Sequence, residues 1–265
     1  IGYRLVGSEM CIRDRPSIEL FEKKINNRTK AILICNPCNP TGYVYSKEEI
    51  IKIANLAKKN DLFIIVDEVY REFIYSDLKH FSILEDETFF DNAILIDSTS
   101  KRYSLCGARI GFIVSKNSNF IETCMKFALA RLSPPTVALI AANNALKSDN
   151  KYISNVIKEY STRRKVLIGE LSKINNIEFS DPMGAFYSII KLPVKNAEEF
   201  AKFLLTDFSI NNESVMLAPA AGFYSSIDNG KDEVRIAFVL NSEKIKRAIN
   251  ICLLYTSPSP RDDSQ

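Results

Sequence analysis

The chain has 265 residues, 46% of them hydrophobic, and its 35 basic and 32 acidic side chains leave a net charge of +3. This length and apolar content suffice for one large domain or two smaller ones with buried cores. The balanced charge does not indicate a nucleic-acid or membrane surface, and no apolar run is long enough to cross a bilayer. With six scattered cysteines and one histidine, we interpret the cysteines as free thiols of a reducing cytoplasm and expect no metal site.

The two ends of the chain do not resemble the rest. Residues 1–16 have no clear hydrophobic period and lack the apolar core and cleavage site of a signal peptide. Residues 252–265 are irregular in the same way, and both ends resemble translated adapter sequence. We therefore expect an internal fragment flanked by artefactual or disordered tails, and natural flexible termini are the alternative.

The first half of the chain alternates apolar strands with amphipathic helices. Four apolar segments are predicted strands: residues 30–35, 62–66, 93–96 and 108–114. Helices are predicted at residues 17–26, 46–60, 117–130 and 136–146. Ser46 and Glu49 have the spacing of a capping box at the start of the second helix. The strand–helix–strand order predicts a right-handed crossover between parallel strands.

The second half is predicted to be a smaller α+β unit that follows a long helix at residues 149–174. Its candidate strands are residues 177–180, 186–192, 215–218 and 234–239. Its candidate helices are residues 197–206 and 242–251. Arg235 interrupts the last apolar strand, and a buried guanidinium requires an anion as its partner.

Polar clusters follow three of the predicted strands in the first half. Residues 36–42 read Asn-Pro-Cys-Asn-Pro-Thr-Gly, residues 67–70 read Asp-Glu-Val-Tyr, and residues 97–101 read Asp-Ser-Thr-Ser-Lys. The carboxyl ends of parallel strands meet at one edge of a sheet, where such folds bind ligands. These clusters are therefore expected to line one crevice.

Lys101 is the most informative residue of the third cluster. A flexible amine at a strand end can form a Schiff base with an aldehyde. Hydroxyl and guanidinium donors both suit a phosphate, so Ser98 and Arg109, in the Gly-Ala-Arg-Ile-Gly segment at 107–111, are candidates to bind one beside it. No G-x-G-x-x-G follows a strand, which disfavours a nicotinamide dehydrogenase.

The ordered set Asn-Pro-x-Asn-Pro-Thr-Gly, Asp-x-x-Tyr, Ser-x-Ser-Lys and Gly-x-Arg-x-Gly resembles the class I/II aminotransferases, and aspartate-type members most. These fold-type I enzymes use pyridoxal 5'-phosphate (PLP). The similarity covers about residues 17–250. It implies an α/β fold: residues 17–148 form the C-terminal part of the large PLP-binding domain, a mainly parallel sheet with helices on both faces. Residues 149–251 form the linking helix and a small α+β domain.

The resemblance also implies roles for individual residues. Lys101 is the Schiff-base lysine and general base, and Asp67 pairs with the pyridinium nitrogen. Asn39 and Tyr70 hydrogen-bond the phenolic oxygen of the ring, while Arg235, with Asn39, binds the substrate α-carboxylate. The implied catalytic residues are Lys101, Tyr70 and Asp67. The implied cofactor-binding residues are Asn39, Asp67, Tyr70, Ser98, Ser100, Lys101 and Arg109.

The implied function is transamination between an L-amino acid, with aspartate favoured, and a 2-oxo acid, in a cytoplasmic homodimer of amino-acid biosynthesis. The early part of the family's large domain is missing, so we expect this fragment to bind PLP poorly. Another fold-type I enzyme, such as a carbon–sulfur lyase or a synthase, is an alternative. A transcription regulator that senses ligands through an aminotransferase-like domain is another.

Overall fold

The computed structural model of the protein describes residues 17–226 and 228–256. The first half contains α1 (Ile18–Lys24), β1 (Ala31–Cys35), α2 (Lys47–Lys59), β2 (Phe63–Asp67), β3 (Ala93–Ser98), α3 (Thr99–Arg102), β4 (Gly111–Val114), α4 (Ser118–Arg131) and α5 (Thr136–Leu146). The second half contains α6 (Asn150–Leu171), β5 (Glu178–Phe179), β6 (Tyr187–Lys191), α7 (Ala197–Thr206), β7 (Ala218–Pro219), β8 (Glu233–Ala237) and α8 (Ser242–Thr256).

The first sheet has the strand order β1-β2-β3-β4. Strands β1, β2 and β3 are parallel, and β4 is antiparallel to β3. Cys35 pairs with Asp67, which in turn pairs with Ile96. This register brings the three polar clusters to the same edge of the sheet, as predicted. The mixed α/β architecture with a mainly parallel sheet is confirmed.

One face of this sheet packs against α2. The apolar side chains of this core come from three strands and the helix: Ile32, Ile34, Ile64, Val66, Ala93, Leu95, Ile50, Ile53, Ala54 and Ala57. The predicted capping box is present, because Ser46 Oγ accepts the Glu49 N–H and Glu49 accepts the Ser46 N–H. On the opposite face, Phe120 of α4 contacts Phe63, whereas Leu33 is 45% exposed.

The second sheet is antiparallel throughout, with the strand order β5-β6-β8-β7. Helices α6 and α8 pack together on its core, to which they contribute the buried residues Leu167, Leu171, Ile245 and Ile249. Arg163 of α6 donates to the Val239 carbonyl, and Arg164 donates to the Pro182 carbonyl. The long helix is therefore tied both to the end of β8 and to the turn before β6.

The two sheets meet at the loop that follows β1. The Gly184 N–H donates to the Gly42 carbonyl at 2.8 Å, and Ile74 forms a β-bridge with Gly184. Tyr70 and Phe73, which follow β2, are buried in the core of the second sheet. Residues from both halves therefore surround the carboxyl edge of the first sheet.

Some predicted boundaries differ from the observed ones. The segment 108–114 is a strand only from Gly111, because residues 106–108 form a 3₁₀ turn and Arg109 is left-handed with φ of 58°. The segment 215–218 is a strand only at Ala218–Pro219. Helix α8 continues to Thr256, so the predicted tail at 252–265 overlaps its last turn. The rest of that tail and residues 1–16 lie outside the described residues, and the division into two domains remains a prediction.

No helix among residues 17–226 and 228–256 is both long enough and apolar enough to span a membrane.

The close approach at Gly184 yields a stability prediction. A Cβ at Gly184 would lie 2.7 Å from Pro37 Cβ and from Val44 Cγ2, and 2.8 Å from the Phe73 carbonyl oxygen. We expect Gly184→Ala to lower the free energy of unfolding by about 1–3 kcal/mol through overpacking. Urea denaturation measures the change.

The matched control is Gly169→Ala in α6, where an added Cβ meets nothing within 4 Å. Because alanine is favoured over glycine inside a helix, this variant should raise the free energy of unfolding by about 0.5–1 kcal/mol. Equal effects of the two substitutions would contradict the close packing at Gly184.

Candidate active site

Arg235 lies in the crevice between the two sheets. Its Nη1 donates a 2.9 Å hydrogen bond to Asn39 Oδ1, which joins β8 to the loop after β1. The guanidinium carbon lies 4.7 Å from the ring centroid of Tyr187 and 5.1 Å from that of Phe223. Its buried Nε has no hydrogen-bond partner among the described residues. An acceptor such as a carboxylate would satisfy this group.

Tyr70 is buried beside Tyr187, whose ring contacts the Arg235 guanidinium. Its hydroxyl oxygen is 2.9 Å from the hydroxyl oxygen of Tyr187, and the two rings meet edge to face. Burial raises the pKa of the Tyr70 hydroxyl. Tyr70 therefore stays protonated at neutral pH and has a hydrogen to donate.

Lys101 lies on the short helix α3 and is half-buried. Its Nζ is 5.9 Å from the ring centroid of Tyr70 and 5.7 Å from that of Phe186. The amine therefore faces the aromatic cluster between the sheets. Through Tyr70 and Tyr187, a continuous set of contacts leads from Lys101 to Arg235.

A buried ion-pair network holds the turn that carries Lys101. Arg102 Nη2 donates to both carboxylate oxygens of Asp97, at 2.9 and 3.1 Å, and both side chains are buried. Arg71 is 3.3 Å from the same carboxylate, and Glu72 is 3.3 Å from Arg102 Nε. The sequence patterns gave these residues no role, although Asp97 and Arg102 bracket the lysine. The opposite charges at the two ends of this turn are the sequence feature that could have indicated the ion pair.

Asp67 ends β2, and its carboxylate has no cationic partner among the described residues. Its Oδ1 accepts the Val69 N–H at 3.1 Å, and it forms no ion pair within the described part of the chain. Burial raises the pKa of the Asp67 carboxyl, the Val69 N–H lowers it, and the neighbouring Asp97 and Glu68 carboxylates raise it further. A cationic N–H donor brought to this position would be bound favourably.

The adjacent Glu68 is fully buried but well satisfied. Its carboxylate lies 2.9 Å from His80 Nε2 and accepts hydrogen bonds from the Ser82 hydroxyl and the Ile83 N–H. The His80 side chain is itself only 14% exposed. This group anchors the segment that follows β2.

Ser98 and Ser100 lie directly before Lys101. Ser98 Oγ caps α3 by accepting the Ser100 N–H, and it lies 2.8 Å from both Ser100 Oγ and the Ile110 carbonyl oxygen. Arg109 is exposed, and its Nη1 donates to the Cys106 carbonyl. Ser98 pairs with Gly111, and its Oγ reaches the Ile110 carbonyl oxygen, so Ser98 lies close to the backbone beside Arg109. The joint role of Ser98 and Arg109 in phosphate binding stays a prediction.

The residues present fit PLP in three respects. In the described part of the chain Asp67 has no cationic partner, which suits a partner of a ring N–H. The buried Arg235 Nε likewise has no acceptor among the described residues, which suits a group that binds a carboxylate. The Lys101 amine shares an aromatic environment with the Tyr70 ring.

The family model "Aminotransferase class I and II" matches residues 15–251. An aspartate aminotransferase of Pyrococcus abyssi is 33% identical over 89% of this chain and 59% of that protein. A (5-formylfuran-3-yl)methyl phosphate transaminase of Methanocaldococcus jannaschii is 33% identical over 88% of this chain and 59% of that protein. This chain therefore spans about three fifths of the length of the curated relatives it matches.

Solved structures show the same fold. An aromatic aminotransferase from Pyrococcus horikoshii superposes with a TM-score of 0.81 and 30% identity, over 91% of this chain and 63% of that one. An aspartate aminotransferase from Thermotoga maritima gives a TM-score of 0.79 and 30% identity, over 91% and 60%.

The lone carboxylate of Asp67 yields a pH-dependent prediction. Its pKa is higher in the fold than in the unfolded chain, so the fold favours the protonated form. The stability from this group is complete below the unfolded pKa and is lost as the pH rises through the folded pKa. In the cofactor-free protein, Asp67→Asn should therefore raise the free energy of unfolding at pH 7. The gain should shrink towards about pH 4.

Urea denaturation at both pH values measures this difference. Asp77→Asn is the control, since Asp77 is exposed and forms no ion pair among the described residues. It should change the free energy of unfolding little at either pH. A loss of stability at pH 7 in Asp67→Asn would contradict the uncompensated charge.

Proposed function

Because the chain belongs to the aminotransferase class I and II family, whose enzymes depend on PLP, we propose that the protein is a transaminase. It exchanges the amino group of an L-amino acid for the oxo group of a 2-oxo acid. The observation that carries the proposal is the set of contacts from Lys101 through Tyr70 and Tyr187 to Arg235. These contacts support the proposal because they connect an amine to a guanidinium where the two sheets meet.

In this proposal each residue has one task towards the cofactor. Lys101 would hold the PLP aldehyde through its amine, and Asp67 would hold the ring N–H. Asn39 and Tyr70 would donate hydrogen bonds to the phenolic oxygen. Ser98, Ser100 and Arg109 bind the phosphate, which for the exposed Arg109 requires its side chain to leave the Cys106 carbonyl. When bound, PLP supplies an electron sink for charge that develops at the substrate α-carbon.

Towards the substrate, Arg235 binds the α-carboxylate through its guanidinium. Asn39 holds Arg235 in place through the 2.9 Å hydrogen bond. With the carboxylate fixed, the α-proton would be directed at Lys101 Nζ, which would accept it as general base once the substrate's amino group has displaced it and left its amine free. The rings of Tyr70 and Phe186 lie beside Nζ, with centroids 5.9 and 5.7 Å away.

We propose aspartate as the favoured amino acid. Several relatives carry the name aspartate aminotransferase, among them those of Pyrococcus abyssi and Thermotoga maritima. Another relative is named as an aromatic-amino-acid aminotransferase, so the proposed range extends from acidic to aromatic side chains.

We also propose a homodimer in a reducing cytoplasm. Four cysteines of the described part are free thiols, namely Cys35, Cys38, Cys106 and Cys124. Helices α4 and α5 expose apolar side chains that a subunit interface would cover: Met125, Phe127, Leu129, Val137 and Ile140. Sedimentation of the protein at the full length of its relatives distinguishes a dimer from a monomer.

Chemical trapping tests the role of Lys101. In the protein at the full length of its relatives, incubation with excess PLP and reduction with borohydride should fix the cofactor mainly on Lys101, as read by peptide mass. Lys101→Arg should lose this label, whereas Lys116→Arg, at an exposed position after β4, should keep it. A label spread evenly over exposed lysines would contradict the assignment.

Product analysis tests the reaction. In the protein at the full length of its relatives, L-aspartate and 2-oxoglutarate should give glutamate in equal amount to the aspartate consumed. Lys101→Arg should lower kcat by about a hundredfold or more, because it removes the general base. Release of pyruvate and ammonia from an amino acid would indicate a lyase instead.

A further inference from the structure

Tyr187 connects the two ends of the proposed site, and the sequence patterns gave it no role. It lies on β6, where Ile189 pairs directly with Arg235 of β8. Residues two apart on a strand share a face, so Tyr187 is the diagonal neighbour of Arg235. Its ring centroid is 4.7 Å from the Arg235 guanidinium carbon, which is a cation–π contact.

The other end of Tyr187 reaches Tyr70. Their hydroxyl oxygens are 2.9 Å apart, and the two side chains are only 6% and 4% exposed. Among the described residues, this is the one hydrogen bond of the Tyr187 hydroxyl. The side chain therefore contacts Arg235 through its face and Tyr70 through its tip.

The number of hydrogens fixes the direction of this bond once a ligand binds. Each tyrosine hydroxyl has one hydrogen to donate and accepts through its lone pairs. If Tyr70 donates its hydrogen to an oxygen of the cofactor, Tyr187 must donate to Tyr70. When Tyr187 donates to the Tyr70 oxygen, it polarises the Tyr70 O–H group and strengthens the hydrogen bond that Tyr70 donates to the cofactor.

We propose that Tyr187 is a positioning residue with two separable contributions. Its hydroxyl strengthens the hydrogen bond from Tyr70 to the phenolic oxygen of PLP, and its ring holds Arg235 for the α-carboxylate. This inference rests on the proposed transaminase function and deepens it. One side chain thereby links the cofactor-binding and substrate-binding ends of the crevice.

Tyr187→Phe tests the hydroxyl, because it keeps the ring and removes the donor. The measurement is the pH titration of the visible Schiff-base absorbance in the PLP-loaded protein at the full length of its relatives. A weaker hydrogen bond to the phenolic oxygen favours the protonated Schiff base. Its midpoint should therefore rise by about half a pH unit or more.

Tyr75→Phe is the matched control. Tyr75 also donates one hydrogen bond from its hydroxyl, to the Ala185 carbonyl at 2.7 Å, and packs against the same core. It has no described contact with Tyr70 or Arg235. Removal of the Tyr75 hydroxyl should change the free energy of unfolding about as much as Tyr187→Phe does. The midpoint of the Schiff-base titration should stay the same as in the unaltered protein.

Tyr187→Leu tests the ring. Loss of the cation–π contact should raise KM for the amino acid by about tenfold, while Tyr187→Phe should change it by less than about twofold. If Tyr187→Leu does not fold, Tyr187→Met fills similar space without a ring and has the same expected KM.

The outcomes separate this inference from the function on which it rests. An unaltered protein without a Schiff-base absorbance band overturns the transaminase proposal itself. A band whose midpoint is the same in Tyr187→Phe and Tyr75→Phe overturns the role of the hydroxyl. Equal KM values for Tyr187→Phe and Tyr187→Leu overturn the role of the ring.

Discussion

A cluster of aromatic rings between the two sheets is the interaction on which the rest of the site depends. Phe186 of the second half contacts Tyr70 and Phe73 of the first half and Tyr160 of the long helix, at centroid distances of 5.1–5.4 Å. Edge-to-face and tilted pairs of this kind add to the stabilisation from burial alone. Because residues from the first sheet, the second sheet and α6 share one core, their relative positions are fixed. That rigidity brings Arg235 within hydrogen-bond distance of Asn39, 196 positions away along the chain.

Three carboxylates lie at the carboxyl edge of the first sheet, and only one of them keeps an uncompensated negative charge. Asp97 is neutralised by Arg102 and Arg71, and Glu68 is satisfied by His80 and two further donors. Of these three carboxylates, only that of Asp67 has no cationic partner among the described residues. Functional sites often keep such uncompensated groups, which lower the stability of the empty protein and strengthen the binding of a complementary ligand.

The fold and part of the site could be predicted from the sequence because both depend on local patterns. Apolar strands with polar residues at their ends specify a parallel sheet with one functional edge, which places Asn39, Asp67 and Lys101 without knowledge of the second half. Tyr187 could not be found in this way. Its role depends on a contact with Tyr70, 117 positions away, and a tyrosine on an apolar strand resembles any core aromatic. The left-handed backbone of Arg109 could not be predicted either, because a single polar residue between apolar ones resembles part of strand β4.

The loop after β1 and the turn before β6 interlock through their backbones. Gly42 has φ of 73°, and a Cβ there would clash with Pro182 Cβ, just as a Cβ at Gly184 would clash with Pro37. Neither segment can therefore drift in sequence without the other. In a chimaera between homologues, the two segments would have to be transplanted together, as a single cassette assembled from distant parts of the gene.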